Sequence, residues 1–116
     1  MVYSIWVIGR DELPISVADL LRGIFKQATI EVVPVDDFRD KPGTADLAVI
    51  TNYDLGQGKN AIQLMASRPD FSYLWMVSGV TRPLAQHVPS HISRQIVDKP
   101  ANSQELAEAV TRALCI

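Results

Sequence analysis

Five short apolar runs constrain this chain more than any other feature: Tyr3–Ile8, Ile30–Val35, Ala45–Thr51, Tyr73–Ser78 and Gln95–Val97. They are rich in Val and Ile and mostly continuous, with little alternation of apolar and polar residues. A strand with one wet face alternates, whereas a strand covered on both faces does not, so the runs predict parallel strands between helical layers. Helix-like segments separate them. Over Pro14–Phe25, Val17, Leu20, Leu21 and Ile24 recur at helical spacing, and Pro14 sits in the first turn, where its missing N–H does no harm. Lys59–Ser67 offers Ala61, Ile62 and Met65 as a buried stripe. The last helix is the best defined: Asn102 caps it, Glu105 completes a capping box, and Leu106, Val110, Ala113 and Leu114 form its apolar face. Two connections are weaker. Asp36–Gly43 holds Pro42 and Gly43 and leaves room for a short helix only, and in Thr81–Arg94 Pro89 ends whatever helix Pro83 begins. Strand and helix alternating five times predict a doubly wound α/β sandwich of three layers. Its five-stranded parallel sheet is expected in the flavodoxin-like order 2-1-3-4-5.

The length of 116 residues suits one domain over 1–116, enough to bury a core without staples. A net charge of −2 provides no basic face for nucleic acid, which excludes that class of partner. Cys115 has no partner cysteine in the chain, so a reducing, cytoplasmic setting is expected. The longest apolar runs fall far short of the ~20 residues of a membrane-spanning helix, and Met1–Arg10 lacks the pattern of a signal peptide.

In a sheet of this kind, ligands bind beyond the carboxyl ends of the strands, beside the switch point. Those ends are Gly9–Glu12, Thr51–Asp54, Ser78–Thr81 and Asp98–Pro100. Here the chain resembles the receiver domain of bacterial two-component response regulators, over its whole length. Ala45-Asp46-Leu47-Ala48-Val49-Ile50 resembles the family's third strand, Ser78-Gly79 its Ser/Thr followed by a small residue, and Asp98-Lys99-Pro100 with Glu105-Leu106 its fifth strand and last helix. The resemblance implies a site in which an acidic pair holds Mg²⁺, an aspartate accepts the phosphoryl group, and Ser/Thr and Lys contact its oxygens. A dianion arriving at a carboxylate needs the metal and the lysine to offset charge. At the matching positions this chain has Gly9 and Arg10 for the acidic pair, and Thr51, or Asn52 one residue on, for the nucleophile. Only Ser78 and Lys99 are retained. The aromatic that reports the switch in the family is replaced by Ile96. The resemblance is therefore to a degenerate form, a pseudo-receiver, and implies no enzyme activity, no metal, no cofactor, and a cis Lys99–Pro100 bond.

Other groups carry less. Asp11, Glu12 and Asp54 could form a relocated acid site, but a metal shell needs fixed geometry, and the simpler reading puts Asp11 and Glu12 near a helix start and Asp54 in a turn. Lys99 is expected to pair with a carboxylate such as Asp11 or Asp54, because an unpartnered, partly buried ammonium is costly. His87 and His91 stand at chelating spacing, but Pro89 breaks the turn between them. Gly56-Gln57-Gly58-Lys59 lacks the full spacing of a phosphate loop, and Ser78 lacks a nucleophile elbow. Trp6 and Trp75 read as core.

The expected function is that of a non-phosphorylatable protein-interaction module in two-component signalling, its partner a sensor kinase, regulator or effector domain, with no membrane contact and with homodimerisation open. The resemblance places the interaction face on the fourth helical segment, last strand and last helix: Leu84–His91, including Leu84 and His87, then Gln95, Ile96 and Val97, and the exposed side of Ser103–Arg112. Two alternatives stand beside it. One is a sensor of small anions using Arg10, Ser78 and Lys99; the other is an active receiver with a displaced aspartate.

Overall fold

The computed structural model describes residues 2–99 and 102–114, and in it the five apolar runs become the strands of one parallel sheet. They are β1 (Ser4–Ile8), β2 (Thr29–Val32), β3 (Leu47–Ile50), β6 (Tyr73–Val77) and β7 (Arg94–Asp98), in the order β2-β1-β3-β6-β7. This is the expected 2-1-3-4-5 arrangement of sheet strands. Ile8 pairs with Ile50 and Ile50 with Trp75, so β1 and β3 end at one level and β6 runs on to Val77.

Alternation along each central strand splits the interior in two. Trp6, Ile8, Ala48, Ile50, Tyr73, Trp75 and Val77 face one layer, formed by α2 (Val35–Phe38), α3 (Ala61–Ser67) and a 3₁₀ helix, Arg82–His87. Ile5, Val7, Leu47, Val49, Leu74 and Met76 face the other, formed by α1 (Leu13–Ile24) and α4 (Ser103–Ala113). Both predicted tryptophans are core.

The helix ends follow local chemistry. At α4, Asn102 Oδ1 accepts from Glu105 N at 2.8 Å and Glu105 reaches back to Asn102 N, which is the capping box expected there. A second box, Asn60 with Gln63, starts α3 two residues later than Lys59. Pro34 cannot donate to a ladder, so β2 stops at Val32 and Val35 opens α2 instead of ending a strand. Pro83 and Pro89 restrict the fourth helical segment to six residues of 3₁₀ helix. On α1 the buried stripe is Pro14, Val17, Ala18 and Leu21, while Leu20, expected inside, is 38% exposed. The predicted cis Lys99–Pro100 bond and Cys115 involve residues outside those described.

One element was absent from the expected order. Between β3 and α3 the chain makes a small antiparallel hairpin, β4 (Asp54–Gly56) and β5 (Lys59–Asn60). Its tip residues Gln57 and Gly58 both have positive φ, 53° and 77°, as a two-residue primed turn requires. The Gly-rich stretch is thus a turn.

Arg68 ties the α2–α3 side together. Its Nη1 donates to the Phe38 and Lys41 carbonyls, both at 3.0 Å, and Nη2 to that of Gly43 at 2.9 Å. The guanidinium lies 4.5 Å from the Phe71 ring centre and 5.3 Å from that of Trp6, a cation–π arrangement. Its own carbonyl accepts the Tyr73 hydroxyl at 2.6 Å. Burial raises the Tyr73 pKa well above its ordinary 10.0; Arg68 acts against the shift and Asp70 adds to it. The unfolded chain therefore loses this proton first, and stability falls as pH rises past 10.0. Tyr73→Phe should cost about 1–3 kcal/mol at neutral pH by orphaning the Arg68 carbonyl. It should also flatten the alkaline loss, both effects being read from urea denaturation at pH 7 and above pH 10.

Candidate functional site

Where β1 and β3 end side by side, the chain places its smallest residue against a buried hydroxyl. Thr51 N donates to the Ile8 carbonyl at 2.9 Å, bringing Thr51 level with Gly9. A Cβ built on Gly9 would lie 1.8 Å from Thr51 Oγ1 and 2.8 Å from Asn52 Oδ1. The threonine thus occupies the volume in which a side chain at position 9 would start. It is fully buried, and its hydroxyl donates to Asn52 Oδ1 at 2.7 Å. The same oxygen accepts the Arg10 backbone N–H at 2.9 Å. Asn52 therefore closes a neutral network across the two strand ends, and nothing in it is ionised.

Arg10 turns outward. Its Nη1 pairs with Asp54 Oδ2 at 3.0 Å, and its Nε lies 3.8 Å from Asp11 Oδ2. Asp54 also accepts from Gly56 N at 2.9 Å, which ties the pair to the hairpin. Asp11 adopts a left-handed φ of 60°, a conformation that aspartate tolerates better than most residues. The three side chains are about half to mostly exposed, so the pairing orients more than it stabilises, at about 0–1 kcal/mol. A guanidinium stands between the two carboxylates that a relocated metal site would use. Glu12 is at the start of α1 and makes no side-chain cap. Among the described residues no group of three or more His, Cys, Asp or Glu could hold a metal ion.

Lys99 continues from β7, its N–H donating to the Val77 carbonyl at 2.7 Å. Its ammonium reaches across the sheet to the Thr51 carbonyl at 2.9 Å. The expected partner was a carboxylate, Asp11 or Asp54, but Arg10 holds both, and a backbone carbonyl takes their place. Burial lowers the Lys99 pKa. Ser78 faces elsewhere: its N–H donates to Thr81 Oγ1 at 2.8 Å and its Oγ lies 3.1 Å from the same atom, forming the turn that leads into the 3₁₀ helix. The structure brings Gly9, Arg10, Thr51 and Lys99 to one edge, but Arg10, Ser78 and Lys99 each have a different partner. Thr81 is the contributor that strand-end reasoning left without a role, and Asn52, considered only as an alternative nucleophile position, is the acceptor that joins Thr51 to Arg10.

Of the predicted interaction residues, His87 and Gln95 are exposed, and Leu84 and Ile96 are half-buried against the α2–α3-side core. Val97 is a correction: it is buried on the α1–α4 side, so its side chain is not on the face. β7 lies at one edge of the sheet. His91 is exposed like His87.

No protein-family model and no curated protein matches the chain. Solved structures do. A response regulator receiver protein from Sinorhizobium medicae superposes with a TM-score of 0.73 at 15% identity, over 98% of this chain and 95% of that one. An adenylate cyclase from Rhodopirellula baltica gives 0.77 at 11% identity, over 99% and 89%. NtrX from Brucella abortus, crystallised with ADP, gives 0.74 at 15% identity over 98% of this chain, which spans only 27% of that protein. The chain has the flavodoxin-like fold of receiver domains.

The contact at Gly9 makes a direct prediction. Gly9→Ala should destabilise by about 1–3 kcal/mol through overpacking. Adding Thr51→Ala should recover part of that loss, giving a favourable coupling in a double-mutant cycle measured by urea denaturation. Additive losses would mean that the two residues do not meet.

Proposed function

We propose that this chain is a receiver-like module that takes no phosphoryl group and works through protein contacts in two-component signalling. The observation that carries this reading is the Gly9–Thr51 contact. At the level where the family would place metal-binding and phospho-accepting carboxylates, one strand end has no side chain and the other has a buried hydroxyl. A threonine there cannot form an acyl phosphate, and the Arg10 cation beside it opposes Mg²⁺. The acids nearest the site, Asp11 and Asp54, flank that guanidinium.

With the trigger gone, the reading rests on a constitutive surface. The 3₁₀ helix, the β7 edge and the outer side of α4 form the proposed face. His87 and Gln95 are exposed there, Gln104 bonds Glu108 on α4, and the Arg82–Asp98 ion pair joins the 3₁₀ helix to the strand. An edge strand offers unpaired backbone groups to a partner. The occupants proposed for this face are a sensor kinase, regulator or effector domain, with a second copy of the chain as the homodimer form of the same docking.

Incubation with a radiolabelled small phosphodonor and Mg²⁺ should leave the protein unlabelled, and beryllofluoride should leave its amide spectrum unchanged. His87→Glu with Gln95→Glu should abolish capture of the partner from the source cell, while Thr51→Ala should leave it intact. Covalent label on any aspartate would overturn the reading, as would loss of signalling in a folded Thr51→Ala protein.

A further inference from the structure

A second feature of the carboxyl edge is independent of the docking reading. Between α1 and α4 lies a groove of about 470 Å³, a volume within the ~300–1,000 Å³ of small-molecule sites. Leu13, Val17 and Leu20 from α1, Met76 from β6 and Leu106 from α4 give it apolar walls; Ser16 and Lys99 are its polar groups. Leu20 is 38% exposed at its rim, so apolar surface there is open to solvent. Among the described residues no carboxylate lines it.

Lys99 is the charge of this groove. Its one hydrogen bond among the described residues goes to the Thr51 carbonyl, which leaves two of the three ammonium donors for a ligand. It has no ion-pair partner among those residues, although Arg10, Arg22, Lys41, Lys59 and Arg82 all have one. Burial lowers its pKa, the direction of an ammonium held without a counter-charge. An apolar trough with one uncompensated cation and one hydroxyl has the complementarity of an amphipathic anion.

The geometry points to a binding site for a small monocarboxylate with an unbranched apolar tail, its carboxylate on Lys99 and Ser16 and its tail along Val17, Leu20 and Met76. Of the receiver-pocket positions only Lys99 joins this site, since Arg10 and Ser78 are turned to other partners.

Octanoate and octan-1-ol, equal in chain length and different in charge, are the probes, titrated into the intact protein and followed by amide and methyl resonances at pH 7. Octanoate should give saturable shifts confined to the groove, and octan-1-ol should bind at least about tenfold more weakly. Lys99→Met should remove that preference and Lys99→Arg should keep it, each variant being checked for a dispersed, folded spectrum. Leu20→Trp, placed at the solvent-facing rim, should weaken octanoate binding by about tenfold through occlusion. The proposal is overturned if octanoate causes no saturable shift, if its shifts scatter over the surface, or if the alcohol binds the wild type equally well.

Discussion

Parallel strands covered on both faces must hide every side chain, and this requirement sets the rest of the molecule. β3 and β6 each present an unbroken buried run, and neighbouring residues in it serve opposite cores. Trp75 goes to one layer while Leu74 and Met76 go to the other. Each layer then needs helices with a matching apolar stripe. Polar chemistry is pushed to the strand ends, where backbone groups remain to be satisfied.

At that end the chain meets its hydrogen-bonding needs with neutral partners. The Thr51 hydroxyl and the Arg10 backbone N–H both donate to the Asn52 carboxamide oxygen, and the Lys99 cation is held by a carbonyl. Charged residues do occur close by, but they pair on the outside, where Arg10 faces Asp11 and Asp54. The division is physical: neutral groups bonded to each other are cheap to bury, whereas clustered carboxylates need a counter-ion.

Much of this was legible in the sequence, for identifiable reasons. Continuous Val- and Ile-rich runs signal two-sided burial directly, and Asn102 with Glu105 declares a helix start through local bonds alone. The strand ends located Gly9, Arg10, Thr51 and Lys99. What escaped depended on distances in space. The hairpin is too short for any periodicity, and its glycines suggest a loop as readily as a primed turn. Asn52 acquires its role only because β1 and β3 lie in a register that sets it over Gly9. The Lys99 acceptor is a backbone carbonyl, and a carbonyl has no sequence signature. Leu20 followed the helical period yet stays at the surface, because the groove between α1 and α4 is not filled there.

The interlock of Gly9 with Thr51 bears on how such a domain could change over generations. An acid introduced at position 9 alone collides with the threonine. An acid introduced at 51 alone sets a carboxylate beside the oxygen of Asn52, which now accepts the Thr51 hydroxyl. Either first step is a handicap that the second must redeem, so the route toward an acidic centre passes through a fitness valley. The interlock works as a ratchet against that route.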